Sequence, residues 1–231
     1  MGVKTPLHSV RWTPCWRIIP SRFPPIQLFE RVTDPADLEA VLAVESLTND
    51  RLRDEVGNLQ LVPSAERISG PGSSHIMAAF THVNPEGSRF SDGQYGVYYA
   101  ANTLDTAISE TIHHREQFLR ATSQQPQELD MRVLVADLES TLHDIRGMQH
   151  ELPDVYHQHK YAHAQALGRS LRDEGSWGIV YDSVRHAGGE CVGIFRPRAL
   201  SQCRQERHLC YVWDGARISR WYRKSSLHNR A

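Results

Sequence analysis

Five separated segments of β-favouring residues most constrain what this chain can become. They are GVYYA at 96–100, MRVLVADL at 131–138, WGIVYDS at 177–183, CVGIF at 191–195 and CYVWDGARISRWY at 210–222. Each is rich in Val, Ile or aromatic residues, the types that fit a pleated surface. The last holds Asp214-Gly215 at its middle, the signal of a tight hairpin turn. WRII at 16–19 reads as a short first strand and IMAAF, from Ile76, as another, after a GPGSS loop at 70–74. Helical spacing is sparser. Asp34-Pro35 supplies a cap and a first-turn proline ahead of Leu38, Val41, Leu42 and Leu47. Asn102, with Asp105 three residues on, predicts a cap for a helix burying Leu104, Ala107, Ile108, Thr111 and Ile112. A third helix is expected from Val155 to Glu174, after Pro153-Asp154 and stopped by Gly175. Strands outnumber helices and do not alternate with them, which favours an α+β fold with mixed or antiparallel sheets over a doubly wound one.

At 231 residues, 40% hydrophobic and 23% charged, the chain can bury one sizeable core. The expected organisation is an arm over residues 1–25, a helical N-terminal extension over 26–72, and a core over 73–231 that ends in the hairpin. No stretch approaches the ~20 consecutive apolar residues of a membrane span, and the N-terminus has no apolar signal region. Cys15, Cys191, Cys203 and Cys210 form no CxxC pair, so they read as reduced thiols of a cytoplasmic protein. A net charge of −1 argues against direct nucleic-acid binding. The charge is uneven, with seven acidic and two basic residues between Asp34 and Glu55, and seven basic and two acidic between Arg204 and Arg230. Two solvated faces account for this, and so does a basic tail that meets a partner.

Familiar nucleotide cradles are missing: no GxGxxG follows a strand and there is no GxxxxGK[ST]. His157, His159 and His163 lack both an HExxH frame and a supporting cysteine pair, so they read as surface or structural histidines, and no metal is expected. Ser183, in YDSVRHAGGE, lies outside any GxSxG elbow.

The informative stretch is GSRFSDGQYGVYYAANTLDTAISETIHH, residues 87–114. Strand alternation points Tyr98 and Tyr99 to opposite faces, so one packs inside while the other lines a cleft. Helical spacing sets Glu110 beside Ala107 at the edge of the apolar face, with His114 one turn on. Two readings follow. Glu110 is a rim carboxylate paired with an arginine while Arg89 holds its loop, or both face a cleft and do chemistry.

Arg89 in GSRFSDG, then VYYAA, Glu110 in TAISETIHH and Ser183 in WGIVYDSVRHAGGE together resemble the RES family, whose name records an Arg, a Glu and a Ser. The resemblance runs from about Trp16 to Leu200. It implies a fold similar to that of ADP-ribosyltransferases, NAD+ as substrate without a metal, and the role of toxin in a bacterial toxin–antitoxin pair. Arg89, Glu110 and Ser183 take the family's catalytic positions. Eleven-residue spacing to Glu110 carries the strand tyrosine to Tyr99, with Tyr98 one step away. On this resemblance Arg89 grips the diphosphate, the tyrosine stacks on nicotinamide, Glu110 stabilises the cationic ribose, and Ser183 bonds the ribose or carboxamide or orients Glu110. The implied partner is an Xre-like helix-turn-helix antitoxin that occludes the site, DNA being reached only through it. The implied products are ADP-ribosylated protein, slightly favoured, or ADP-ribose passed to phosphate or water. SRFS stands where short members read GRWN, and the block Phe29 to Pro71 is longer than theirs; both bear on the acceptor and the partner. The alternative from another class is a catalytically silent binding module.

Overall fold

Long-range pairing extends the strands well beyond their sequence signatures. The expected strand at 16–19 lies within β1, Leu7–Pro20, and the segment 131–138 lies within β3, Gln127–Asp144. These two run antiparallel from Leu7 opposite His143 to Pro20 opposite Met131. Register slips once, between Trp12 and Cys15, where Pro14 has no N–H to give the ladder. Residues 7–20 of the expected arm are thus part of the sheet. The computed structural model describes residues 5–21, 28–31, 34, 37–38, 40–41 and 56–225. The helix expected from Asp34-Pro35 through Leu47 falls largely outside these, as do the tail residues beyond 225; Leu38 is described and buried.

The remaining strands are β2 (Tyr98–Ala101), β4 (Gly178–Asp182), β5 (Glu190–Ile194), β6 (Leu200–Trp213) and β7 (Ile218–Arg223). Their order is β1-β2-β5-β4-β3-β6-β7, and the extra β1–β3 pairing closes the first five strands into a ring. Only β3–β4 is parallel, so the sheet is mixed and the fold is α+β. The C-terminal hairpin is present, but its connection has four residues rather than two. Gly215 takes a positive φ of 101°, and the Asp214 carboxylate accepts from the amides of Ala216 and Arg217 at 2.9 Å.

Both sheet faces are covered, which is why β3 reads as a near-continuous apolar run. Leu134, Ala136, Leu138 and Leu142 point to one face, with Tyr98, Val192 and Ile194. That layer is closed by α1, Ser73–Thr81, through Ile76, Met77 and Phe80. IMAAF is therefore helix, not the expected strand. Buried Ser73, Ile76, Met77 and Phe80 repeat at helical spacing, a period that so short an apolar run cannot reveal by itself. Met131, Val133, Ile179, Tyr181 and Cys191 face the other side. There they meet α2, Leu104–Ala121, and α3, Ala162–Asp173, through Ala107, Ile108, Leu119, Ala164 and Leu171.

Two helix starts differ from expectation. Thr103 caps α2, its hydroxyl accepting from Thr106 N at 3.2 Å, while the expected cap Asn102 bonds the Glu190 backbone in both directions. The helix expected from Val155 starts only at Ala162. Among the described residues no helix is long and apolar enough to cross a membrane.

Candidate active site

The site forms where three connections meet above β2, β4 and β5: the loop 87–95, the segment 153–161, and the β4–β5 loop around Ser183. The first loop is fastened from below. Tyr99 Oη bonds Ser88 Oγ and accepts from Phe90 N, both at 2.8 Å. Tyr95 Oη donates to Phe90 O at 2.6 Å, and Gln165 Nε2 donates to Ser88 O at 3.0 Å. Gly168 lets α3 approach: a Cβ there would stand 2.3 Å from Phe90 O. These ties commit the Tyr99 hydroxyl to the loop, and burial pushes its pKa up to about 12, so it stays protonated at neutral pH.

Arg89 is the product of that loop. Only 7% of it is exposed. Nη1 donates to Val155 O at 3.0 Å and His157 O at 3.1 Å, and the guanidinium lies 4.8 Å from the centre of the Tyr161 ring. Nη2 is buried and makes no hydrogen bond. A buried guanidinium nitrogen without an acceptor is costly, and an anionic oxygen supplied from outside would satisfy it. The same carbonyls explain the late start of α3. Val155 and His157 present their C=O groups to Arg89, and Gln158 presents its own to Arg185 at 2.8 Å, so they are not spent on helical bonding.

Glu110 projects from α2 with both oxygens engaged. Ser183 Oγ donates to Oε1 at 2.6 Å and Arg185 Nη1 donates to Oε2 at 3.1 Å. Ser183 has no freedom in this: its oxygen accepts from the amides of Arg185 and His186, each at 3.1 Å, so its hydrogen points to the carboxylate. The loop itself is hooked to the α2 N-terminus, where His186 Nδ1 lies 2.8 Å from Thr106 Oγ1. Gly189 gives the room, since a Cβ would stand 2.5 Å from that hydroxyl. Arg185 continues to Tyr161 Oη at 3.1 Å, and so links Glu110 to the ring that Arg89 covers. Beneath, burial and the Glu110 charge both raise the Cys191 thiol, which leaves it no role as a nucleophile.

Arg89, Tyr99, Glu110 and Ser183 are thus brought together. Tyr98 is not: it lies fully buried on the opposite sheet face, with the Arg17 guanidinium 4.6 Å from its ring. The alternation read from sequence holds, and it is Tyr99 that faces the site. Arg185 and Tyr161 were not singled out from sequence. The signal for Arg185 is its place two residues after Ser183 in a glycine-rich loop, and the reading of Glu110 as an ion-paired carboxylate required some such arginine. The histidines divide. His159 stacks 5.5 Å from His113 on α2, while His163 lies within α3 with Nδ1 4.0 Å from Asp154. His159 precedes α3, so it shares no helix face with His163. Among the described residues no cluster of three or more His, Cys, Asp or Glu is placed to hold a metal.

A tethered guanidinium with one unsatisfied nitrogen and a doubly hydrogen-bonded carboxylate are thus joined through Tyr161 and Arg185. The family model of the RES domain matches residues 64–214, and the chain belongs to that family. An uncharacterised protein of Sinorhizobium fredii (strain NBRC 101917 / NGR234), y4oC, is 32% identical over 210 residues, covering 90% of this chain and 86% of the relative. A solved chain of the M. tuberculosis MbcT–MbcA toxin–antitoxin complex is 13% identical with a TM-score of 0.40, over 57% of this chain and 74% of that one, too distant a likeness to carry an argument.

Proposed function

We propose that this protein cleaves the nicotinamide–ribose bond of NAD+ and transfers the ADP-ribosyl group to an acceptor. The observation that carries the reading is Arg89: anchored through Nη1, with Nη2 buried and unsatisfied, and linked to Glu110 through Tyr161 and Arg185. A diphosphate supplies the oxygen that Nη2 lacks. When the C1′–N bond breaks, its electron pair leaves with neutral nicotinamide and C1′ becomes an oxocarbenium. Fixed negative charge at Glu110 stabilises that cation. The acceptor then forms the new bond to C1′, and a protic acceptor releases its proton to solvent.

Ser183 acts here by orientation, since its hydroxyl hydrogen is committed to Glu110. Tyr99 supports the Arg89 loop through its hydroxyl and leaves its partly exposed ring to meet a flat base. The proposed acceptor is a protein side chain. The proposed setting is a cytoplasmic toxin held off by an Xre-like antitoxin, as the RES resemblance implies.

The test is incubation of purified protein, with and without bacterial protein extract, with isotopically labelled NAD+. Nicotinamide release together with labelled protein supports the reading in full. ADP-ribose or its phosphate adduct, without labelled protein, moves the acceptor to water or phosphate. Absence of nicotinamide release overturns catalysis and leaves a silent binding module.

A further inference from the structure

We propose that Arg185 is a positioning residue that sets the Glu110 carboxylate for ribose and ties it to the segment 153–161, whose carbonyls seat Arg89. The inference rests on the NAD+-cleaving reading of the site. Arg185 is 8% exposed at its side chain, and its contacts reach three separate parts of the site. Nη1 donates to Glu110 Oε2, Nη2 donates to Gln158 O and Tyr161 Oη, and its backbone N–H donates to Ser183 Oγ. The planar fork is what allows this: a guanidinium presents several donors in fixed directions, whereas an ammonium is a single point of charge.

Geometry and electrostatics oppose each other at this residue. A cation 3.1 Å from Glu110 weakens the carboxylate's field at the ribose, so Arg185 is not retained to strengthen that field. What it supplies is direction. Glu110 hangs from a helix on three rotatable bonds, and Ser183 restrains only Oε1. With Oε2 held as well, both oxygens are fixed and with them the plane of the carboxylate. Through Gln158 and Tyr161 the same guanidinium ties the carboxylate to segment 153–161, whose Val155 and His157 carbonyls seat Arg89. The diphosphate grip and the cation-stabilising group are thereby held at a common distance, which is what cleavage of one bond in a bound dinucleotide requires.

Arg185→Met and Arg185→Lys are compared with wild type for nicotinamide release at varied NAD+. The expected result for Arg185→Met is a kcat lower by about 10- to 100-fold, the range for a reacting group displaced by about an ångström, with KM changed less than about threefold. Arg185→Lys is expected to recover only a minor part. Unchanged kcat overturns the proposal. So does a raised kcat, which would make the ion pair an inhibitory clasp, or a raised KM at unchanged kcat, which would make Arg185 a substrate grip. A crystal structure of Arg185→Met gives a readout independent of turnover: Glu110 is expected to leave its present rotamer and its bond to Ser183. Retention of both overturns the positioning role even for a protein that does not cleave NAD+, whereas absence of cleavage by wild type counts against the proposed function alone.

Discussion

Replacing Glu110 by glutamine keeps the shape of the side chain and removes its charge. The carboxylate accepts from Ser183 Oγ at 2.6 Å and from Arg185 Nη1 at 3.1 Å. An amide has one accepting oxygen, so one of these bonds is lost and an NH2 group turns toward a donor. A hydrogen bond to a charged group contributes about 1.5–3 kcal/mol. A fully buried ion pair costs about 3–5 kcal/mol to break, but 18% of the Glu110 side chain and 8% of the Arg185 side chain are exposed, so the lower figure governs. A loss of about 2–3 kcal/mol lowers the melting temperature by roughly 4–12 °C at this chain length and leaves the protein folded at 25 °C. The catalytic effect is larger in consequence. Loss of a single preorganised electrostatic group costs about 3–4 kcal/mol in the transition state, a fall in turnover of about 100- to 1,000-fold. The assay is nicotinamide release at saturating NAD+, beside a thermal melt to confirm folding. Turnover within a few fold of wild type, in a folded Glu110→Gln protein, refutes the assignment of Glu110 as the cation-stabilising group.

Arg89→Lys is expected to weaken NAD+ binding at least as much as it slows turnover, because a point charge cannot hold two carbonyls and a diphosphate together; unchanged affinity by calorimetry counts against this role. Ser183→Ala frees Oε1 of Glu110 and strands the amides of Arg185 and His186. It should lower kcat about tenfold or more, a bond to a charged group being worth about 1.5–3 kcal/mol, with KM nearly unchanged; a pure KM effect would restore a substrate-binding role. His113 is held down to about 4 by burial and by the Arg185 charge, against Glu116 which raises it. Its folded pKa lies below the unfolded value of about 6.5, so the unfolded chain binds more protons between those values. The stability it contributes is full above about pH 6.5 and is lost as pH falls toward 4. Wild type should lose stability relative to His113→Gln as pH falls through that range, and an offset between their melting temperatures that does not change with pH would dismiss the effect. An antitoxin whose terminal segment competes with NAD+ for Arg89 should inhibit less as NAD+ rises and lose potency when truncated there; full inhibition through both changes would require an allosteric mechanism.

What the sequence determined by itself is what short-range geometry controls. The Arg89–Tyr99–Glu110 spacing, the opposite facing of Tyr98 and Tyr99, and the hairpin around Asp214-Gly215 follow from strand period, helix period and turn chemistry over a few residues. The α+β class follows from the order of such segments, because irregular alternation leaves no set of parallel crossovers to build. The tertiary structure decided the rest, through partners distant along the chain. Pairing of Leu7–Pro20 with β3 made a long strand of a segment whose own signal spans only Trp16 to Ile19. The sheet's two covered faces made IMAAF a helix and chose Tyr99 over Tyr98 for the cleft. Val155, His157 and Gln158 lie next to good helix formers, yet their carbonyls are held by Arg89 and Arg185. No window of sequence reveals that, because a buried guanidinium in need of acceptors outweighs a local preference for one more turn of helix. Arg185 was hidden for the same reason: its role exists only where α2, the β4–β5 loop and the segment before α3 meet.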